Sequence, residues 1–517
     1  MPKKNIFTHI QLPKVGSNRF DLSHDVKLSF KMGELVPTAC MEVLPGDRFS
    51  ISPQNMLRFA PLISPVMHKV RVTTHYFFVP NRILWPEWEK WITGDSDVAA
   101  PYVRISEDTN LAYEGTVADY LGYPTGDVGG AGQYIDVSPL PMAAYKKIWD
   151  DYYRDQNLQD ESFTPLVPGD NSAQYVIELV DPPYKRAWQH DYFTSALPFA
   201  QKGDSVQLPL VDQGAVPVEK LNNGAFGRFE EPNSSGAAVG AVTGNASGFL
   251  EVGGDVSSYN PQGSLVVDIQ ADAVDVNTVR RAFRLQEWLE KNARGGTRYI
   301  ENIMAHFGIK SSDARLQRPE YIGGSKQNMV ISEVLATAEN TEANVPVGNL
   351  AGHGISVGGG NSFNYRAEEH GWIIGIINVQ PDTAYSQGCP RHLSRFDRLD
   401  YAWPTFANIG EQEILNKELY VDDTNTNKNG VFGYIPRYSE YRFTNSRVAG
   451  EMKTTLDFWH LARKFESTPN LNLNFIKADP STRIFAVTDE NVDHIYAHII
   501  NNVSAIRKLP RFGIPTI

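Results

Sequence analysis

The run KVRVTTHYFFV (69–79) sets Val70, Val72, Thr74, Tyr76 and Phe78 at alternate positions, and Pro80-Asn81 stops it. Side chains of an extended chain point to opposite faces in turn. A period of two bounded by turn residues therefore predicts a half-buried antiparallel strand. The same reading extends in both directions. Upstream, Val26, Leu28 and Phe30 alternate with Lys27, Ser29 and Lys31; the turn Leu44-Pro45-Gly46-Asp47 follows, and Phe49 and Ile51 resume the alternation. Downstream, Trp372 to Val379 is nearly continuously apolar, as for a strand covered on both faces. Arg483 to Val487 and His494 to Ile500 read as closing strands. With β elements at both ends, the expectation is a mainly β protein, one antiparallel sandwich carrying long inserted loops and short helices.

Between these strands the pattern changes. Pro141 to Leu158, Val279 to Lys291 and Leu456 to Phe465 carry apolar residues near helical spacing, the first opening on a proline suited to a first turn. Residues 203–277 differ from everything around them: NNGAFGRFEEPNSSGAAVGAVTGNASGFLEVGGDVSSYNPQG (222–263) is rich in Gly, Ser, Ala and Asn. Such a composition cannot fill a core of its own. It suits either a flexible linker or a long surface excursion from one domain. Its apolar islands, Ala225-Phe226, Phe249-Leu250-Glu251-Val252 and Leu265-Val266-Val267, favour the excursion, because a pure linker needs none.

Over 517 residues the chain is 41% hydrophobic and 11% aromatic, with 41 glycines and 32 prolines, which suits a sizeable core and many turns. Its net charge of −12 is the wrong sign for a protein that wraps nucleic acid unaided, since phosphate neutralisation drives that binding. Any nucleic-acid contact must be local or shared with a basic partner. Cys40 and Cys389 are the two cysteines, too few for a disulfide framework or a cysteine-rich zinc site, as expected of a chain made in a reducing cytoplasm. The start MPKKNIFTHIQLPK lacks the apolar region of a secretory signal, and no apolar run is long enough to span a bilayer.

No motif makes a convincing catalytic constellation. His494 and His498 would share a metal only on a helix; on the strand their neighbours imply, they lie about 13 Å apart. Asp422 to Gly430 imitates the start of a calcium loop, but the glycine or the twelfth ligand falls out of place, leaving a polar turn or at most a weak divalent-ion site. The acid pairs Asp150-Asp151 and Glu411/Glu413 read as solvated faces. Neither a Walker loop nor a nucleophile elbow occurs. No catalytic residue, metal ligand or cofactor is expected.

Two basic patches stand out. Arg280, Arg281, Arg284, Lys291, Arg294 and Arg298 crowd beside Trp288 and Tyr299, and Arg507, Lys508 and Arg511 lie near the C-terminus with Phe512. Cations beside aromatic rings can hold single-stranded nucleic acid by phosphate contact and base stacking. Ordinary salt bridging is the competing account.

Several stretches resemble a known family. RFDLSHD (19–25), LPGD (44–47) and YFFVPNR (76–82) are similar to the start of microvirus major capsid proteins, especially the gokushovirus branch. The likeness continues through YRDQNL (153–158), is densest at NARGGTRYIENIMAHFGIKSSDARLQRPEYIGG (292–324), and resumes at GNLAGHG (348–354), GEQEILNKELY (410–420), FGYIPRYSEYR (432–442) and LDFWH (456–460). It runs in order along most of the chain. The resemblance implies a single eight-stranded jelly roll over residues 1–517 and no enzymatic activity. It further implies identical copies closing into a T=1 icosahedron around circular single-stranded DNA, a virion component assembled in the host bacterial cytoplasm. A small basic DNA-binding protein would be a partner. In the gokushovirus branch one long insertion forms a protrusion at each threefold axis, and residues 203–277 fall where it belongs, after ALPFAQKG (196–203). A cell-surface receptor would be its partner, with Phe226, Phe229, Phe249, Leu250 and Tyr259 as candidate contacts. Arg507, Lys508 and Arg511 are the candidate DNA contacts. Two rival readings of an aromatic-rich sandwich are a carbohydrate-binding or carbohydrate-active jelly roll and a cellular scaffold.

Overall fold

A computed structural model of the protein describes residues 16–106, 112–126, 132–204, 206, 276–335, 350–359, 361–421 and 427–511, with six short strands between 218 and 267. Two antiparallel sheets form its centre. The strands are β1 (Asn18–Asp21), β2 (His24–Phe30), β3 (Val36–Val43), β4 (Arg48–Phe59), β5 (Val70–Pro80), β6 (Glu320–Asn328), β7 (Val330–Leu335), β8 (Leu350–Gly358), β9 (Phe363–Arg366), β10 (Gly371–Pro381) and β11 (Ile495–Arg507). One sheet runs β1-β11-β4-β8-β7, with β2 also on β11 and β9 also on β4; the other runs β6-β5-β10-β3.

β1 and β2 pair with successive stretches of β11, and β8 and β9 with successive stretches of β4, so each couple is one interrupted lane. Counted by lanes, chain order gives first-eighth-third-sixth in one sheet and second-seventh-fourth-fifth in the other, the order of a jelly roll, with β7 added at an edge. The sheets form an open sandwich and do not close into a barrel.

Apolar alternation decides the interior. Phe30, Leu57, Phe59, Ile495 and Ile499 of the first sheet meet Val70, Val72, Ile377 and Val379 of the second. Phe49, Ile51 and Val503 meet Tyr76, Phe78 and Ile373 further along. One polar clamp crosses this interior: the Tyr76 hydroxyl donates to Asn501 Oδ1 at 2.7 Å, and Asn501 Nδ2 donates to the Thr38 carbonyl at 2.9 Å. Asn501 is wholly buried, so a partner for each end of its amide is what makes it tolerable there.

The run 69–79 forms β5 as expected, but it is buried on both faces instead of one. Val70, Val72, Tyr76 and Phe78 face the other sheet, while Phe77 and Val79 join Leu84, Trp85, Met142, Tyr145 and Ile148 in a second core. The cover is the helix Leu140–Ile148, continued by a wider π turn over Trp149–Tyr153; it starts one residue before the predicted 141–158 segment and ends five residues short of its end. Positions 81–319 are thus a single insertion between the neighbouring strands β5 and β6, and part of it folds back as that sheet's outer layer.

Two expected elements are absent. Arg483 to Val487 is not a strand; Phe485 makes one isolated bridge to Leu62 and buries its ring against Phe59 and His494. Leu456 to Phe465 is not a helix beyond the short 3-10 turn Asp457–Trp459. The Ala462 N–H goes to His460 Nδ1 at 3.0 Å and its carbonyl accepts from Arg483 at 2.7 Å, groups a helix would have used internally. The third candidate helix is present and longer than expected, Val276–Gly295.

Residues 201–291 form a compact unit separate from the remainder of the chain. Within it Val218–Lys220 pairs with Leu265–Val267, Arg228–Glu230 with Ser258–Asn260, and Val242–Gly244 with Leu250–Val252, all antiparallel. The pairings are nested one inside another, so the segment runs out and returns along itself.

Candidate nucleic-acid interface

The C-terminal basic patch grows from the end of β11, whose alternate residues Ile499, Asn501, Val503 and Ala505 are buried. That period leaves Arg507 at the sheet margin, opposite Asn18 of β1. Its guanidinium does not reach into solvent. Nε lies 2.9 Å from Asp47 Oδ2, an Nη2 hydrogen goes to the Glu42 carbonyl at 2.6 Å, and the group sits 5.5 Å from the Phe49 ring centre. Asp47 is almost wholly buried and also accepts from the Leu44 N–H at 3.0 Å. It closes the LPGD turn, where Gly46 adopts the left-handed conformation that a side chain disfavours. Lys508 passes over that glycine, and Lys508 and Arg511 are exposed. The sequence treats these three cations alike; the structure divides them into one anchor and two surface groups.

The second patch divides in the same way. Arg294 is clamped on Glu411 and donates to the carbonyls of Ser195 and Tyr434 at 3.1 and 3.0 Å. Arg298 pairs with Glu301 at 3.3 Å and donates to the carbonyls of Asp150 and Arg154; burial pulls its pKa below the usual arginine value. Arg280, Arg281, Arg284 and Lys291 stay exposed on the helix, Arg284 paired with Glu287.

The other motifs resolve into structural contacts. His494 is stacked on Phe485 with Nε2 2.8 Å from the Val487 carbonyl, whereas His498 faces Asp25 at 3.1 Å, so the two imidazoles have separate partners. Asp150 accepts the backbone N–H groups of Ser162 and Phe163, Asp151 pairs with Lys147, and Glu411 holds Arg294. Among the described residues no three His, Cys, Asp or Glu side chains converge as a metal site would, and no helix is long and apolar enough to cross a membrane. Asp422 to Thr426 of the calcium-like stretch lie outside the described residues, as do Phe226 and Phe249. Backbone register sets Phe229 opposite Tyr259, and Leu250 opposite Gly244.

One buried titratable group, Glu34, has no signature in the sequence pattern. Glu34 is buried, accepts the Lys31 N–H at 2.9 Å, and has its carboxyl pushed up to about 7 by desolvation. A lone glutamate in KMGEL offers no signal of this; distant segments hold it, Lys185 bridging its backbone and Asn378 donating to its carbonyl at 2.9 Å.

Comparison with known proteins agrees along the full chain. A family model described as capsid protein (F protein) matches residues 8–517. Capsid protein VP1 of Chlamydia phage 1 is 35% identical, the alignment covering 99% of this chain and 97% of the relative. Capsid protein VP1 of Bdellovibrio phage phiMH2K is 34% identical, covering 99% and 98%, and that of Spiroplasma virus 4 is 31% identical, covering 96% and 95%. With a jelly-roll sandwich whose polar clusters serve packing and turns, the chain belongs to the capsid protein (F protein) family, as a structural, non-enzymatic major capsid protein of a small bacteriophage of the gokushovirus type.

Proposed function

We propose that identical copies of this chain close into a T=1 icosahedral shell around circular single-stranded DNA, with residues 203–277 projecting at the threefold axes toward a host receptor. Membership of the capsid family over residues 8–517 is the observation that carries the shell. Purified protein examined by negative-stain electron microscopy should show closed, uniform particles. Monomers at every concentration, with glycan binding, would favour the carbohydrate-binding alternative.

DNA contact in this reading is confined to exposed cations such as Lys508 and Arg511, with Arg507 holding the strand end that presents them. The net charge of −12 supports a division of labour in which a small basic protein neutralises most of the phosphate. Shells of a Lys508→Ala/Arg511→Ala variant should package less DNA; normal packaging would count against these contacts. Assembly in the host bacterial cytoplasm fits two free cysteines.

A further inference from the structure

We propose that the loop Arg391–Ile409, backed by residues 437–443, is a contact between copies of this chain, with Phe396 as its anchor. The proposal rests on the shell-forming reading and specifies which surface performs it.

This stretch carries a concentration of exposed apolar side chains. Phe396 is 90% exposed, and Leu393, Leu399, Tyr401, Trp403 and Ile409 are exposed with it. A loop held only by its ends would turn such groups inward. Here the backbone prevents it. Asp400 Oδ2 accepts the N–H groups of Phe396 and Asp397, both at 2.9 Å. Trp403 Nε1 donates to the Arg398 carbonyl at 2.8 Å. From below, the Tyr441 hydroxyl accepts the Ala402 N–H at 3.2 Å and the Tyr438 hydroxyl the Trp403 N–H at 3.3 Å. Arg395 ties the layers together, paired with Glu440 at 3.0 Å and lying 4.3 Å from the Tyr441 ring centre, both charges buried. Tyr438 itself holds a left-handed backbone, φ 63°, a strained conformation for a tyrosine. Apolar groups displayed on a rigid support lose little entropy on association, the condition for an interface anchor.

The occupant that fits is a second copy. With Arg391 and Arg395 paired to Glu418 and Glu440, residues 391–409 and 437–443 still carry Arg398, Arg437 and Arg442 against Asp397 and Asp400, a mildly basic ledge in a chain of net charge −12 whose acidic remainder in another copy is its complement. Single-stranded DNA fits less well. Leu393, Leu399 and Ile409 cannot stack on bases, and Arg391 and Arg395 are already engaged by Glu418 and Glu440.

The test compares wild type with Phe396→Ser/Leu399→Ser, a change confined to exposed side chains. The variant should remain soluble with a cooperative melt, while shell yield by sedimentation velocity falls roughly tenfold or more. Phe396→Leu should restore shells. In addition, a photo-crosslinking phenylalanine at position 396 should give, on irradiation of shells, a product of twice the chain mass. Wild-type yield from the serine variant, or crosslinks to DNA alone, would overturn the contact. Failure of wild type itself to form shells would instead refute the reading on which the contact rests.

Discussion

Arg507, the last residue of β11, neutralises Asp47 in the turn before β4, with Nε 2.9 Å from Oδ2 across a sequence separation that spans almost the whole chain. Asp47 is 1% exposed and its other contact is the Leu44 N–H within its own turn. The pair therefore locks the end of β11 to the turn that carries the chain from one sheet to the other. Removing the arginine leaves a desolvated carboxylate with no counter-charge, the costly way to break a buried pair.

Arg507→Ala should accordingly destabilise the unassembled protein by roughly 2–4 kcal/mol in urea unfolding. Adding Asp47→Asn should recover much of that loss, because the neutral amide keeps the Leu44 hydrogen bond. Equal stability of the single and double variants would sink the account. A packaging defect in Arg507→Ala alone would not identify a DNA contact, whereas one in Lys508→Ala would.

The Glu34 carboxyl gives a pH dependence with a definite sign. Its folded pKa of about 7 stands above the ordinary glutamate value because burial disfavours the charged form; Lys31 and Lys185 oppose the shift and Asp493 adds to it. The folded state thus holds its proton more tightly, and this group's stabilisation is present below about pH 4.5 and is lost as pH rises through 7. Glu34→Gln should stabilise the protein at pH 8 by about 2 kcal/mol and flatten the decline between pH 5 and 7, read from urea midpoints. A variant with the wild-type slope would refute this.

Gly352 lies where β8 passes under the segment 60–64, and a Cβ there would sit 2.2 Å from the Ser64 carbonyl oxygen. Backbone cannot yield as a side-chain tip can. Gly352→Ala should cost roughly 1–3 kcal/mol and lower the melting temperature of the unassembled protein. Gly94→Ala makes the contrasting control: open space surrounds that position, and its positive φ supplies the strain alone.

The nested pairings of residues 201–291 define how to shorten the insertion. Joining Lys220 to Leu265 through a two-residue Asn-Gly turn keeps the outermost pair, Val218–Lys220 with Leu265–Val267, and removes the two inner ones. Particles of this variant should assemble at wild-type yield and attach to cells less well. Unchanged attachment would end the receptor proposal, and loss of particles would show that the segment serves assembly instead.

Much was legible from the residues alone, for a local reason. β2, β4, β5 and β10 are spelled by alternation or by a continuous apolar run, because a strand's faces repeat every two residues. The helix Leu140–Ile148 showed itself through its periodicity and its opening proline. What failed depended on distant partners. Leu456 to Phe465 has helical spacing, but Arg483 claims the Ala462 carbonyl, and that arginine comes from a later segment. The run 69–79 was expected to bury one face; the helical layer inserted after it buries the other.

The residues alone marked β2, β4, β5, β10 and the first half of β11, the composition that sets residues 203–277 apart, and the family, since ordered motifs along a chain record ancestry irrespective of contacts. Tertiary structure alone decided what each charge does. Arg507 and Arg294 became anchors while Lys508 and Arg284 stayed in solvent, and Glu34 acquired a titration near neutrality. A side chain's charge is written in its residue type, but its desolvation and its partner are set by segments hundreds of residues away, and those two quantities govern whether it stabilises the fold or meets another molecule.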